Sequence, residues 1–285
     1  TGPGGRIGLE LGLGDPGDGG GRVFGRIVGG FAALDREETQ IIGGFAPGQL
    51  PTYIDITGRN GFAFNNNSIV HAEIDVTRYR LEGEAGWEKQ INPNVSVSPV
   101  FGIRSQRIEY DYNVFLDTDF GNGRFFNTLD ESLRLNQVGA ALGLDATVIP
   151  RKGITMSIGG YAGLAVTDAS YTGSDCGDGS ILTAGCDGAL FSNTGISRDR
   201  NSLDAFGGLE ASIGIYLFCR GGSTKQIAPE ALKDQCVHAS ARGNVDFMPT
   251  TEIDRPTTLG GPGVTLSTTH VTSSAFSLRA RVPLN

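Results

Sequence analysis

Apolar residues recur at every second position along this chain, in runs longer than the roughly 5–6 residues of an ordinary strand. Between Leu135 and Tyr171, Val138, Ala140, Leu142, Leu144, Ala146 and Val148 share one face. After a Pro-Arg-Lys-Gly corner, Ile154, Met156, Ile158, Gly160, Ala162, Leu164 and Val166 share a second. The opposing positions are small or polar: Gln137, Gly139, Asp145 and Thr147, then Thr155, Ser157, Gly159 and Tyr161. Successive strand side chains point to opposite sides, so the stretch predicts an antiparallel hairpin with one greasy wall. A helix would scatter the i, i+2, i+4 positions around its circumference.

The same period recurs in "RIGLELGLG", "RVFGRIVGGFAAL", "SIVHAEIDVTRYRLEGEAGWEKQ", "VSVSPVFGIRSQRIEYDYNVFL", "NSLDAFGGLEASIGIYLFC", "VHASARGNVDFM" and "SSAFSLRARVPL". A short strand near "TYIDIT" brings the expected count to about ten, within eight to twelve, in one domain over residues 1–285. Turns at Asn92–Asn94 and Pro150–Gly153 are tight, whereas the connections after Leu116, Tyr171 and Met248 are long. This asymmetry predicts an all-β, transmembrane, antiparallel up-and-down β-barrel. Two long connections are expected on the tight-turn side: residues 35–51, and residues 220–235 with a short helix from about Pro229 to Asp234.

Several strands change sidedness midway. Ile74 and Val76 are even where Tyr79 and Leu81 are odd; Val95, Val97 and Phe101 are odd where Ile108, Tyr110 and Tyr112 are even. A bulge would keep the apolar face outward through the switch. Alternatively, the switch marks where the strand leaves a bilayer. Tyr79, Trp87, Tyr110, Tyr112, Phe115 and Phe276 are candidate interfacial aromatics.

Composition narrows the classes. With 285 residues and a net charge of −8, the chain offers no basic stripe for nucleic acid. No segment reaches the roughly 18 apolar residues of a membrane helix, whereas a barrel strand needs only about 9–11 alternating ones. The chain opens on Thr1, as expected of a processed mature form or of an incomplete stretch of a longer chain. The four cysteines allow three connectivities, and spacing favours Cys176–Cys186 and Cys219–Cys236, closing a loop and a connection in an oxidising compartment.

These segments together resemble Gram-negative outer-membrane β-barrel proteins in the broad, porin-like sense. The carriers are the Gly/Ala hairpin at 137–167, "FGGLEASIGIYLF" at 206–218 and "AFSLRARVPL" at 275–284. The last places Phe276, Leu278, Ala280, Val282 and Leu284 on one face, like a C-terminal barrel-assembly signal, but ends in Pro283, Leu284 and Asn285 instead of Phe. The resemblance implies a cell outer membrane location, among outer-membrane lipid and lipopolysaccharide.

Arg78, Arg80, Glu82, Arg104, Arg107, Glu109, Asp111, Asp145, Glu210, Arg242, Asp246, Arg279 and Arg281 are the expected pore-lining residues. Charges of both signs in a narrow barrel must pair, so three readings follow. The first is porin-like passage of small polar solutes. The second is a closed barrel whose loops, or residues 220–235, bind a protein partner, as an adhesin, receptor or assembly anchor. The third is a soluble secreted β-sandwich. No enzyme, cofactor or metal is expected. His71, Glu73 and Asp75 share a face but match no catalytic motif, and "DTDFGNG" and "SDCGDGS" lack the full spacing of a calcium loop. "GLGDPGDGGG" lacks the Lys-Ser/Thr of a phosphate loop and reads as a turn.

Overall fold

A computed structural model of the chain describes residues 4–13, 21–42, 68–119, 124–151, 153–178, 191–219, 236–254 and 264–281. They form β1 (Gly4–Leu13), β2 (Arg22–Ile42), β3 (Ser68–Asn92), β4 (Val95–Asp119), β5 (Arg124–Arg151), β6 (Ile154–Asp178), β7 (Phe191–Cys219), β8 (Cys236–Asp254) and β9 (Thr265–Arg281). All nine belong to one antiparallel sheet in chain order. The "TYIDIT" stretch and the helix expected at Pro229–Asp234 lie outside the described residues.

The corner between β5 and β6 is as tight as its sequence demands. Gly153 takes φ 92°, a left-handed conformation that costs glycine little, and lets β5 reverse into β6. Pro93 and Asn94 make the matching reversal between β3 and β4, where the Asn92 side-chain oxygen accepts the Asn94 backbone N–H at 2.9 Å. At the same end, Tyr216 N–H donates to the Gly153 carbonyl at 2.9 Å, and Cys219 faces Cys236 across the β7–β8 ladder. These two cysteines form a disulfide that closes a connection of sequence separation 17. Cys176 is also disulfide-bonded, and the segment carrying Cys186 lies outside the described residues.

Three expectations about connections change. The stretch from Asp35 does not leave the sheet, because β2 continues to Ile42 and pairs with β3 throughout. Ile42 pairs with Ser68, so the connection after it sits at the end opposite the tight turns. The long loop expected after Leu116 shrinks to residues 120–123, since β4 and β5 remain paired out to Asp119 and Arg124. Polar residues such as Asp117, Thr118 and Asn127 read as loop in sequence, yet they extend the ladder here.

The sheet is strongly curled. Arg80 on β3 reaches Asp246 on β8, five places away in strand order. In a flat sheet those strands would stand about 24 Å apart, at roughly 4.8 Å per strand. The edge strands β1 and β9 accordingly come within 8 Å at some Cα pairs. Both are odd members of an antiparallel series, so they run in the same direction, and no ladder joins them among the described residues.

Glycine makes room for what the curled sheet encloses. A Cβ on Gly208 would lie 2.6 Å from the Tyr161 hydroxyl, and one on Gly163 would lie 2.8 Å from the Phe206 ring. The glycine-filled face that alternates with the greasy one is thus the space into which these two rings fold.

Removing the disulfide tests how firmly the tight-turn end is stapled. Replacing Cys219 and Cys236 together with Ser is expected to lower unfolding free energy by about 3 kcal/mol, on the loop-entropy account for a connection of this length. Urea titration of both proteins, each with and without reductant, checks this. The difference should vanish once the wild-type bond is reduced.

Candidate functional site

The inner face of the curled sheet holds a connected set of charged and polar side chains. Arg6 on β1 donates to Glu82 on β3 at 2.5 Å and to the Asn244 side-chain oxygen on β8 at 3.0 Å. Arg80 pairs with both Glu82 and Asp246. Asp246 also accepts the Tyr161 hydroxyl from β6, and the Asn244 amide at 2.7 Å. Arg104 from β4 lies 3.4 Å over the Tyr161 ring and 3.6 Å from Glu84, which Arg26 of β2 also pairs. Arg26 in turn approaches Asp145 of β5 at 3.5 Å, and Arg242 pairs with Glu210 between β8 and β7. Eight strands contribute to this belt.

A chain of amides headed by Arg78 sits beside it. Arg78 donates to Gln106 at 2.7 Å, Gln106 to Gln137 at 2.7 Å, and Gln137 to the Pro249 carbonyl at 2.8 Å. Tyr161 and Phe206 pack with Ala141, Ala165 and Met248. Further toward the long-connection end, Leu129, Leu133, Leu135, Ala169, Tyr171 and Val264 form a buried apolar cluster. On the tight-turn side of the belt, a cavity of about 130 Å³ is lined by Ser98, Thr155, Ser157, Ser212, His238 and Arg242, among others.

The outer wall changes character at one level. Along β4 to β7 the outward residues from Ile103, Val138, Val166 and Leu203 toward the tight turns are mostly Leu, Ile, Val, Phe, Ala and Gly, and the large ones are exposed. Leu142 is 69% and Leu209 68% exposed. Just beyond, Arg107, Asn136, Asp168 and Asn201 are successive partners across the four strands. That polar row continues outward into charged residues, while the inward side becomes apolar.

The expected pore-lining residues divide accordingly. Arg78, Arg80, Glu82, Arg104, Asp145, Glu210, Arg242 and Asp246 face inward, and all take part in the inner contacts described above. Arg107, Glu109 and Asp111 do not join them. They lie on the outer face, where Arg107 binds Glu109 at 2.5 Å and Arg134 approaches Glu109 at 3.7 Å. The β3–β4 and β4–β5 registers run unbroken through this region, so the bulge that would have turned these residues inward is absent. Residues 104 and 107 are an odd number apart and must face opposite ways. Tyr110 and Tyr112 turn inward for the same reason and pack on the apolar cluster. Arg279 and Arg281 pair in register with Ser240 and His238; their side chains are not among those described.

His71, Glu73 and Asp75 stand on the outward parity of β3. His71 contacts Thr39 at 2.9 Å and lies 3.4 Å from Glu37, while Asp75 sits between Asp35 and Asp111 in the ladders. Among the described residues no group of three or more His, Cys, Asp or Glu is placed to hold a metal ion. Sequence reasoning missed Arg6, Arg26, Gln106, Gln137, Tyr161 and Asn244. Their signal was available: Arg6 alternates with Ile7 and Leu9, and Arg26 with Ile27, on the side opposite the apolar wall.

Truncating Asp246 leaves Arg80 with half its partners and strands the Tyr161 hydroxyl. Asp246→Ala is therefore expected to cost about 3–5 kcal/mol, as for breaking a buried pair. A double-mutant cycle of Asp246→Ala with Arg80→Met should show the two losses to be strongly non-additive, read from urea unfolding of all four proteins.

No protein family, no curated protein and no solved structure matches this chain.

Proposed function

We propose that this chain is an outer-membrane β-barrel of a Gram-negative bacterium whose interior is closed, and that it acts as an anchor whose long connections meet a partner. One observation carries the reading: every strand contributes exposed large apolar residues to a continuous outer wall, from Ile7 and Leu9 on β1 to Phe276 and Leu278 on β9. Water-facing sheets do not leave such an area uncovered. Val138 to Val148 spans ten residue steps, about 33 Å along the strand, or about 25 Å high at the roughly 40° tilt usual for barrels. That height matches the apolar band of outer-membrane barrels.

The borders support it. Phe31 and Tyr79 lie 5.3 Å apart on the outer face at the long-connection edge, and Trp87 is exposed near the tight turns. Such rings suit the headgroup level on either side of a bilayer. Above the border, the apolar cluster inside and the charges outside suit a portion standing in water. A soluble sandwich would need a second sheet against Leu142, Leu144, Leu164 and Leu209, and the described strands all belong to one.

The closed state is favoured over a porin-like pore by the ion-paired belt and the apolar cluster stacked on it. An ion crossing would have to separate Arg80 from Asp246 and then pass Tyr171 and Leu129, both nearly fully buried. Purified protein in planar bilayers is therefore expected to show no steady conductance. Regular open-channel steps would restore the solute-passage reading.

Placing a charge on the wall tests the membrane itself. Leu142→Arg, mid-band, should destabilise the protein in lipid vesicles by about 2–4 kcal/mol, while Asn136→Arg at the border should cost about 0–1. Equal costs for the two, or wild-type protein that stays monodisperse without detergent, would sink the membrane reading.

A further inference from the structure

The seam between β1 and β9 opens onto a cavity of about 320 Å³. Its walls belong to both sides of the sheet. Phe31, Ser274 and Phe276 are outward residues, whereas Arg6, Arg78, Arg80, Asp246 and Ser273 face in. The opening therefore passes through the wall at the place where, among the described residues, no ladder closes it. Glycine and alanine at 4, 5, 30 and 32 keep the passage free of side chains, and a Cβ on Gly5 would meet nothing within 4 Å.

The charge inside the seam does not balance. Three arginines, Arg6, Arg78 and Arg80, stand among two carboxylates, Glu82 and Asp246. Arg6 and Arg80 take those carboxylates. Arg78 is left with the neutral Gln106 oxygen and, at 3.4 Å, the Ser273 hydroxyl. Its Nη2 is buried without a hydrogen-bond partner. A half-buried guanidinium with no anion beside it carries part of the cost of a buried charge, and this one borders an open cavity.

We propose that the β1–β9 seam is a lateral binding site for a membrane lipid bearing a phosphate headgroup, with the phosphate on Arg78 and an acyl chain leaving past Phe31 and Phe276 into the bilayer. The inference rests on the membrane reading above. Arg78 neighbours Tyr79, at the border where headgroups would lie, and a guanidinium fork suits phosphate oxygens.

The test uses the full chain in detergent micelles, with lysophosphatidic acid, lysophosphatidylcholine of equal chain length, and inorganic phosphate as separate ligands, bound lipid or ion being counted by native mass spectrometry. Wild type should retain lysophosphatidic acid at least ten-fold more tightly than lysophosphatidylcholine, and inorganic phosphate should not compete at equal concentration. Arg78→Gln should remove the preference. A second variant, Arg78→Lys, keeps the cation and should retain part of the preference, which separates loss of charge from misfolding. Equal retention of both lipids, unchanged retention in Arg78→Gln, a loss in Arg78→Lys as complete as that in Arg78→Gln, or equal displacement by inorganic phosphate would overturn the proposal. Flotation of the same samples with liposomes is read alongside. Protein that floats but shows no lipid preference refutes the seam site alone, whereas protein that does not float refutes the membrane reading beneath it.

Discussion

Asp246 ties the two halves of the sheet together. It takes Arg80 from β3, Tyr161 from β6 and Asn244 from its own strand, so strands far apart in sheet order must converge on one carboxylate. The attraction is strong because water is largely excluded there, and the same exclusion makes any missing partner expensive. The stacking of Arg104 on Tyr161 and the glycine that admits that ring accompany this cluster. Gly208 has no room for a side chain once Tyr161 turns inward, and at Gly163 the Ala140 carbonyl and the Phe206 ring together leave none. Small residues there are the steric counterpart of the charge pairing.

A second constraint acts along the strands. Because the ladders through β3, β4 and β5 run without interruption, a residue's face is decided by parity alone. Chemistry at each level is then free to invert, and it does. Toward the tight turns the wall is apolar and the interior charged; past Arg107, Asn136, Asp168 and Asn201 the interior is apolar and the wall charged. One uninterrupted sheet thus carries two solvation patterns end to end. In the membrane reading proposed above, the medium outside changes at this level, since water would penalise the lower wall and hydrocarbon the upper one.

Much of this was legible in the sequence where the period-two signal was strong. The hairpin of β5 and β6, the two tight turns and the Cys219–Cys236 pairing follow from residues that sit next to their partners in sequence. Charge alone marks Arg107, Glu109 and Asp111 for the interior, whereas parity places them with Ile103 and Phe101 on the outer face. The extent of β2 was lost for a different reason. Asp35, Arg36, Glu37 and Glu38 read as loop because strands disfavour such residues, yet β3 pairs with every one of them. Contacts such as Arg6 with Asn244, which are 238 residues apart, leave no local trace. They depend on how tightly the sheet curls, and that is set by many side chains at once.

The seam follows from topology as much as from chemistry. The nine described strands, in simple antiparallel order, leave two edges that run the same way, so the geometry that joins every other neighbour among them cannot join these two. Parallel pairing is available, but its hydrogen bonds slant and are slightly weaker per residue. The wall is therefore least well bonded at β1 and β9, the same place where the interior has one cation more than its carboxylates can balance. In hydrocarbon an unpaired strand edge is costly, and so is an unpaired guanidinium. In the lipid site proposed above, the weakly bonded edge would give the ligand its way in, and its anionic head would answer Arg78. Weak pairing and excess charge reinforce one another at this seam, where either alone would be an ordinary imperfection.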